Sequence, residues 1–523
     1  MGLKWSAEAQ RLCPTYPTGD YAMNNKFFGP AVAGCVFVLG LAAPYAQAGV
    51  ILGFEGTSQL DNCALGNCFR PPDTMGAIGT TQFMETSNGS ITVYDRTNGV
   101  VQSRIDFNQF WLSAGQTGSA GDQRVLFDHY TDRWIAAGFG ATTDKINIAI
   151  SDTSNALGAW KSTTFQGVAS GGIADYPTLA IDNKGVYIGT NNFNTSDSFV
   201  GTSLFSIPKT SLFGGTPSTA GMTAFNTPFP AGLDNGFAIQ AALNWQGNPT
   251  NTVAVIADSR DVNAQVFYKI NGVDAPGATQ TASALIAGTA YSIAGRGRQP
   301  DGTRLVDTLS PRISGNAVQV DGMLFSTAVV QSDLGDFAAV RWTVVNASTG
   351  ALISSGKIQQ AGYDFYQGSI AVNEFGEVVI GYNRSGGAAT GVDGRISFMA
   401  RMFNVNGTGG LDQFGAEFLL RQSDVSDYRC GARTSIDTTC RQRWGDYSAV
   451  TIDPTDHHNF WAIGEYADDW AVIPNITTTE RAIWHTYIAA IGFDQQTGVP
   501  EPATLALFAF GLAGLGFGRR KRA

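Results

Sequence analysis

Residues 176–191 read YPTLAIDNKGVYIGTN, and this stretch contains the pattern that decides the fold. A short apolar run ends at Asp182, a tight turn follows, and a second apolar run begins at Val186. Runs of this length with turn residues between them favour β-strands over a helix. The segment is therefore predicted to form an inner strand, a turn and a second strand that returns antiparallel.

The same pattern recurs along the chain between residues 70 and 495. In each copy an apolar run ends at a polar turn, and a second run returns antiparallel. The further copies are 76–85, 125–137, 237–257, 317–327, 369–381 and 448–462. Seven units of about 60 residues result, which is a spacing typical of the four-stranded blades of a β-propeller.

We therefore predict an all-β chain whose body, residues 71–495, is a single β-propeller with seven blades. Six or eight blades stay open as alternatives, and so does a pair of β-sandwiches, whereas a β-helix needs a much shorter repeat. The run Ile483–Phe493 is expected to pair with strands near the N-terminus and to close the ring, because closure removes an exposed edge. Residues 49–70 are expected to form an N-terminal loop that carries a cysteine pair.

Residues 23–48 have the features of a secretory signal peptide. Lys26 precedes an apolar run at 31–43 and the small-residue triplet 46–48, so cleavage by signal peptidase is predicted after Ala48. Residues 1–22 have mixed charges and no apolar period. We interpret them as an upstream extension and place the start of translation at Met23.

The C-terminal residues 496–523 contain three features in a fixed order. A Pro-Glu-Pro triplet precedes an apolar run at 505–517, and a basic cluster follows. The triplet and the cluster are Pro500, Glu501, Pro502, Arg519, Arg520, Lys521 and Arg522. A plain membrane anchor with a positive-inside flank is the alternative, but the apolar run is shorter than the roughly 20 residues of a relaxed spanning helix.

This C-terminal segment resembles the PEP-CTERM sorting signal of Gram-negative bacteria. The resemblance implies transient insertion of the apolar helix into the inner membrane and recognition by an exosortase. It further implies removal of the tail and delivery to the cell surface or the extracellular matrix. Because such bacteria produce exopolysaccharide, the resemblance also implies a setting such as a biofilm.

Export places the remaining cysteines in an oxidising compartment. Once the leader is removed, Cys63, Cys68, Cys430 and Cys440 are left, an even number. Each close pair lies in a polar, loop-like segment, so two local disulfides are predicted, 63 to 68 and 430 to 440. A four-cysteine zinc site is the alternative, but the spacings fit it poorly.

Composition excludes nucleic acid as a partner. The chain has 43 acidic and 33 basic residues, and several of the basic ones lie in the two end segments. The body between them therefore repels phosphate backbones. No cofactor is expected, although structural calcium stays open at acidic loops such as 61–62 and 468–469. The pair His457 and His458 is interpreted as part of a solvated turn rather than a metal site.

Three segments of the body carry a second resemblance. They are 151–160 (SDTSNALGAW), a stretched relative of the Ser-x-Asp-x-Gly-x-x-Trp box, 174–182 (ADYPTLAID) and 443–450 (RWGDYSAV). The body is similar to the sialidase-like propellers that carry BNR or Asp-box repeats, although no box has the tight spacing. That family uses a tyrosine nucleophile and an arginine triad. Arg124, Arg312 and Arg443 are considered for the triad but cannot be matched to it one by one.

Residues just before the inner strands of a propeller converge on one mouth of its channel. The carboxylates Asp122, Asp175 and Asp446 are the catalytic candidates, because glycoside hydrolysis needs two carboxyl groups about 5 to 10 Å apart. Polar, cationic and exposed aromatic residues at the same positions are the ligand-binding candidates, since they grip sugar hydroxyls and stack on sugar rings. They are Asp73, Arg124, Tyr176, Gln240, Arg312, Tyr366, Gln367, Trp444 and Tyr447.

Two functions fit these observations. The favoured one is a surface or matrix protein of a Gram-negative bacterium whose propeller binds polysaccharide or a matrix protein without catalysis. The alternative is an extracellular carbohydrate-active enzyme, a glycoside hydrolase or polysaccharide lyase, with a carboxylate site at the channel mouth. For any single candidate residue, a structural role at the start of a strand is the competing interpretation.

Overall fold

The structure is a computed structural model that describes residues 49–228, 236–259, 262–302, 305–426, 431–432, 435–436, 442–473 and 476–493. These residues belong to one compact unit. The upstream extension, the signal peptide, the sorting signal and the pair Cys430 and Cys440 lie outside the described residues. In the described part of the chain, no helix has the length and apolar character needed to cross a membrane.

The described chain is all-β and is arranged as a β-propeller, as predicted. Its first strand, β1 (Gly49–Ser58), does not pair with the next strands along the chain and belongs instead to the last sheet. Sheet A contains β2 (Met75–Ile78), β3 (Gln82–Ser87), β4 (Ser90–Asp95) and β5 (Val101–Asp106). Sheet B contains β6 (Arg124–Asp128), β7 (Arg133–Phe139), β8 (Lys145–Ser151) and β9 (Trp160–Gln166).

Sheets C and D follow in sequence. Sheet C contains β10 (Ile173–Asp175), β11 (Ala180–Ile181), β12 (Gly185–Phe193), β13 (Phe199–Pro208) and β14 (Thr223–Pro228). Sheet D contains nine strands, β15 (Phe237–Asn244), β16 (Thr252–Ser259), β17 (Ala264–Asn271), β18 (Thr279–Gln280), β19 (Ala284–Leu285), β20 (Ala317–Val320), β21 (Met323–Gln331), β22 (Ala338–Asn346) and β23 (Leu352–Ile358).

The last strands form sheets E and F and one small ladder. Sheet E contains β24 (Tyr363–Val372), β25 (Glu377–Gly386), β26 (Ser397–Val405) and β27 (Leu411–Gln422), and the ladder contains β28 (Gly431–Ala432) and β29 (Ser435–Ile436). Sheet F contains β30 (Ala449–Ile452), β31 (Asn459–Ala471) and β32 (Arg481–Gly492), with β1 as its outermost strand.

Helical structure is limited to short connections. The described helices are α1 (Gln59–Ala64), α2 (Phe107–Ser113), α3 (Lys209–Phe213) and a 3-10 segment at Ala388–Gly394. Their brevity agrees with the absence of a helical period in the sequence, because most helices of globular proteins run to about three turns.

The predicted turn at Asp182 is confirmed, and the copies 369–381 and 448–462 contain equivalent turns. The carboxylate of Asp182 accepts hydrogen bonds from the amides of Lys184 at 2.6 Å and Gly185 at 2.7 Å, immediately after β11. Asn373 and Asp453 act in the same way after β24 and β30. A short side-chain acceptor at this position satisfies backbone amides that the strand ladder leaves free, which is why Asp and Asn recur there.

The prediction that residues 49–70 form a loop was wrong for its first part. Residues 49–58 form β1, which pairs antiparallel with β32 from Gly49 opposite Gly492 to Ser58 opposite His485. The segment GVILGFEGTS was not recognised as a strand because its glycines dilute the apolar alternation. The predicted disulfide between Cys63 and Cys68 is present and links the last turn of α1 to the segment that follows it.

Apolar layers fill the space between consecutive sheets. Ala77 of sheet A and Val125 and Trp134 of sheet B are buried in one cluster, and Val320 and Val372 join sheets D and E in another. The inner strands meet at the centre, where β2 contacts both β6 and β30, and β24 contacts both β20 and β30. Residues that precede these inner strands are thereby brought close to one another.

Candidate functional site

Four aspartates from separate sheets meet where the inner strands begin. The Asp446 amide donates a hydrogen bond to Asp73 Oδ1 at 2.7 Å. Asn88 then links two of the aspartates, because its side-chain amide donates to Asp73 Oδ2 at 2.7 Å and its Oδ1 accepts from the Asp122 amide at 2.9 Å. Sheets A, B and F are thus joined at this mouth through direct polar contacts.

The backbone at this mouth is strained at equivalent places in several sheets. Asp73, Asp122, Tyr176, Ala238 and Gln367 have φ values between 46° and 55°, in the left-handed region. Non-glycine residues adopt this region rarely and at a cost of about 1 kcal/mol or more each. Strain of this kind persists only where the surroundings hold it, and it concentrates at functional sites.

Three arginines lie among the aspartates. Arg443 donates to Asp446 Oδ2 at 2.9 Å, and the Arg312 guanidinium lies 3.6 Å from the same oxygen. Arg124 lies deeper, with its guanidinium carbon 3.6 Å from the centre of the Tyr447 ring and its Nε donating to the Pro177 carbonyl at 2.7 Å. The structure therefore brings together the three arginines that the sequence offered, but only Arg312 and Arg443 reach the cavity described below.

Burial changes the protonation of the aspartates. Burial raises the pKa of Asp73 well above its usual value, and the neighbouring charges of Asp446 and Asp122 raise it further. The pKa of Asp122 is raised by burial and by Asp446, against the Tyr447 hydroxyl, which donates to Asp122 at 2.8 Å. The pKa of Asp175 is raised to about 7 by burial and by the charges of Asp122 and Asp446. Since the guanidiniums stay charged, the mouth carries more positive charge than its residue count indicates.

A cavity of about 590 Å³ opens at this mouth. Its polar lining includes Asp175, Arg312, Arg443 and Asp446, and its apolar lining is Phe193, Phe237, Ile293 and Pro311. This volume lies within the range of roughly 300 to 1,000 Å³ that is usual for ligand pockets. The combination of charged groups and aromatic walls can bind a ligand that has both hydroxyl or acidic groups and flat apolar faces.

The aromatic candidates do not form an exposed stacking surface. Tyr176, Tyr366, Trp444 and Tyr447 are each at most 2% exposed. Trp444 and Tyr366 pack together in an apolar cluster behind the mouth, and the Tyr176 hydroxyl lies 3.0 and 3.1 Å from the carbonyls of Ile313 and Asp446. The expectation of exposed aromatics was wrong because these side chains fill the space between the converging strands.

The two glutamine candidates support the backbone of the mouth. Gln367 donates to the Gly445 carbonyl, and Gln240 donates to the Ile313 carbonyl at 3.4 Å. A Cβ added at Gly445 would lie 2.7 Å from a carboxylate oxygen of Glu465. A side chain at that position, next to Asp446, would therefore require the Glu465 carboxyl group to move.

Sequence reasoning missed several residues of the site. Asn88 belongs to a Ser87-Asn-Gly-Ser90 hairpin, and its Asn-Gly pair predicts a tight turn but not a side chain that reaches the mouth. Phe193 and Phe237 carry no signal that separates them from ordinary strand residues. Ile293 and Pro311 come from the long connection before β20, whose path the strand pattern does not specify.

No group of three or more His, Cys, Asp or Glu residues in the described ranges has a geometry suited to a metal ion. Asp61, from one of the acidic loops considered for calcium, is engaged within the protein. It hydrogen-bonds the Ser58 hydroxyl at 2.8 Å and lies 2.7 Å from Arg104.

The pKa of Asp175 leads to a testable pH dependence. In the unfolded chain this carboxyl titrates near 3.9, so between about pH 4 and 7 the folded state holds a proton that the unfolded state releases. Stability contributed by the protonated form is therefore lost as pH rises through this window. Asparagine does not titrate, so Asp175→Asn should lack this pH dependence. Between pH 5 and pH 8, we expect the free energy of unfolding of the variant to rise relative to that of the wild type by on the order of 2 kcal/mol, a value that allows for access of water through the cavity.

Thermal unfolding of both proteins at pH 5 and pH 8 measures this difference. Asp412→Asn, on the exposed outer strand of sheet E, is the matched control and should keep the wild-type profile. An Asp175→Asn profile parallel to that of the wild type would contradict the assignment.

Comparisons with known proteins identify the C-terminal segment. Residues 498–522 match the family described as the PEP-CTERM protein-sorting motif. The prediction of this signal is confirmed, and the motif indicates exosortase processing, export and a surface or extracellular location. No curated protein matches the chain.

Several solved structures are similar to the chain in fold. One is an ulvan lyase that represents a new family of polysaccharide lyases. Its sequence is 11% identical, the match covers 75% of this chain and 88% of the lyase, and the TM-score is 0.40. Another is the Dos1 propeller, with 10% identity, 84% and 94% coverage and a TM-score of 0.39. A third is an endo-arabinase from Bacteroides thetaiotaomicron, with 16% identity, 50% and 88% coverage and a TM-score of 0.29. Similarities at this level carry no conclusion about activity.

Proposed function

We propose that this exported protein binds an acidic polysaccharide in the mouth cavity, at the cell surface or in the extracellular matrix of a Gram-negative bacterium. The observation that carries the proposal is the cavity itself, in which Arg312 and Arg443 lie beside the aromatic walls of Phe193 and Phe237. Guanidiniums pair with carboxylate or sulfate groups, and aromatic rings pack against sugar faces. A matrix protein that presents acidic groups is the second ligand class.

The raised pKa values of the surrounding carboxyls support an acidic ligand over a neutral one. Burial raises the pKa of Asp73 and of Asp122, which reduces the negative charge that these groups set against Arg312 and Arg443. A ligand carboxylate or sulfate would complete the charge balance. A protonated carboxyl at Asp175 can additionally donate a hydrogen bond to a sugar oxygen.

We also propose that the propeller has seven blades and that its ring is closed. Sheet D supports a count of two blades, because β15 and β20 pair in parallel over only three residues and each begins its own antiparallel meander. Pairing of β1 with β32, and the contact of β30 with β2, support closure. A ring of this kind exposes only short edges.

We propose that the C-terminal signal directs the export of the protein to the cell surface or the extracellular matrix. The apolar run at 505–517 inserts transiently into the inner membrane, signal peptidase removes the leader, and exosortase removes the tail. The matched motif at 498–522 is the support for this route. A role in exopolysaccharide-containing material such as a biofilm follows from the same signal.

A carbohydrate-active enzyme is the second candidate function. The observation that favours it is Asp175, a cavity-lining carboxyl whose pKa of about 7 suits general acid or base work at neutral pH. Asp446 supplies a second carboxyl in the same cavity. A glycoside hydrolase or polysaccharide lyase would use these two groups on opposite sides of the scissile bond.

The experiment is a titration of the secreted protein with polygalacturonate and with neutral dextran, joined to a reducing-end assay. We expect Arg312→Ala and Arg443→Ala each to weaken binding of polygalacturonate by about tenfold or more, because a charge-assisted contact is lost. Arg401→Ala is the matched control, since that arginine pairs with Glu417 on sheet E, remote from the mouth.

The same titration separates the alternatives. Equal affinity of the wild type and both mouth variants would remove the cavity as the binding site. New reducing or unsaturated ends that Asp175→Asn abolishes, with binding retained, would favour the enzyme.

A further inference from the structure

The two polypeptide ends of the described unit lie at the face of the propeller opposite the mouth cavity. Gly49 and Asn459 both pair with Gly492, and the Phe493 amide donates to the His458 carbonyl at 3.0 Å. The mouth residue Asp446 precedes β30, whereas the turn with His458 follows it. The inner strand β30 between these two points has four residues and spans about 13 Å. The sorting signal therefore leaves from the end of sheet F that is remote from the cavity.

Aromatic and histidine side chains from four turns cover this opposite face around the exit point. The Phe375 ring stacks on His458 at 4.2 Å between ring centres and is 57% exposed. Trp245 stacks on His129 at 4.1 Å and meets the His457 ring edge-on at 6.0 Å. We call the surface formed by these five residues the exit face.

The acidic groups of the exit face have partners in the protein. His457 Nδ1 lies 2.6 Å from a Glu374 carboxylate oxygen, and His458 Nδ1 lies 2.8 Å from one of Glu377. These contacts join the turns of sheets E and F and engage both carboxylates. The histidine pair, which the sequence places in a turn, thus links the turns that form the exit face.

The length of chain between the exit face and the apolar run limits their separation. Eleven residues, 494–504, link Phe493 to Leu505, and a chain of eleven residues that behaves as a flexible coil has a mean end-to-end distance of about 18 Å. To turn the mouth toward the membrane, this linker would have to run the full height of the propeller. The tether alone therefore favours an arrangement with the exit face nearest the membrane.

We propose that the exit face rests on the lipid surface of the membrane that holds the tail, so that the mouth cavity of the uncleaved protein points away from that membrane. Half-buried Trp245 suits this position, because amphipathic aromatic rings settle at the headgroup level, and Phe375 adds an exposed apolar ring to the same face. Exposed Val50 and Ile51 at the start of β1 extend the same edge. This inference rests on the proposed insertion of residues 505–517 and not on the ligand of the cavity.

The test uses the full-length, tail-bearing protein purified from a host without exosortase and reconstituted into vesicles of phosphatidylethanolamine and phosphatidylglycerol. Single variants Phe375→Cys and Ile293→Cys receive a bimane label, and doxyl-labelled lipid is added as quencher. The two positions are matched, because Phe375 is 57% and Ile293 55% exposed, on opposite faces. We expect about twofold quenching at 375 and almost none at 293, since quenching requires contact with the lipid surface.

A linker variant shows whether the tether sets the orientation. Insertion of about ten glycine and serine residues between Gln496 and Thr497 lengthens the linker and should lower the quenching at 375. Flotation of the protein with the vesicles reports insertion separately. Failure to float overturns the proposed insertion and this inference together, whereas flotation with equal quenching at both positions, or stronger quenching at 293, overturns the orientation alone.

Discussion

Replacing Glu85 by alanine is expected to lower the free energy of unfolding by about 3 to 5 kcal/mol, because several buried hydrogen bonds to one carboxyl group are lost together. Glu85 of β3 is fully buried. Its carboxylate accepts hydrogen bonds from the Thr57 hydroxyl at 2.8 Å, the Tyr94 hydroxyl at 2.5 Å and the Thr486 hydroxyl at 2.7 Å. Alanine would remove these three hydrogen bonds, and with them the polar contact that Glu85 makes between sheets A and F.

Chemical denaturation of the wild type and the variant measures this effect. Glu417→Ala is the matched control, because that carboxylate also accepts from several donors, among them Arg384 and Arg401, but is 17% exposed and lies within sheet E. The control is expected to cost about 1 kcal/mol, in line with partly exposed ion pairs. Equal losses for the two variants would show that Glu85 has no special part in holding β1 to the ring.

Replacing Arg124 by alanine is expected to cost about 3 to 4 kcal/mol of unfolding free energy, because it removes a buried cation from among aspartates. Arg124 is 2% exposed. Its guanidinium lies over the rings of Tyr447 and Tyr176, at 3.6 and 5.6 Å from their centres. It also opposes the rise in the pKa of Asp122, which the variant would therefore raise further.

Arg421→Ala provides the comparison for this prediction. Arg421 also lies over a tyrosine ring, that of Tyr466, at 4.2 Å, but its side chain is 27% exposed. Loss of that contact is expected to cost at most about 1 kcal/mol, because water compensates an exposed cation. Denaturation curves at pH 7 compare the two variants, and a cost for Arg124→Ala no larger than that for Arg421→Ala would contradict a central role for the buried guanidinium.

The predicted strand pairs are confirmed where an apolar run ends at an Asp or Asn turn. Residues 176–191 and 448–462 form β11 with β12 and β30 with β31 because their contacts are local in sequence. The pattern failed at residues 49–58, whose partner β32 lies more than four hundred residues away. Such a segment becomes a strand because it pairs with the edge of a sheet. Its own sequence therefore does not need a strong alternation of apolar and polar residues.

The sequence predicted which residues lie at the mouth, but it did not predict which of them are buried. Asp73, Asp122, Asp175 and Asp446 were placed at strand starts, and the structure brings them together as a consequence of the propeller geometry. Trp444 and Tyr447 were expected to face a ligand, but their burial follows from how much space the converging strands leave. The role of each residue in binding or catalysis stays a prediction.

The sequence by itself determined the all-β propeller class, the export signals and the group of residues at the mouth, because strand period, turn chemistry and linear motifs are local properties of the chain. Only the tertiary structure decided which of those residues line a cavity and which carboxyls have a raised pKa. It also decided that the chain leaves the propeller at the face away from the cavity. These features depend on burial and on distances between residues far apart in sequence, and a linear pattern contains neither.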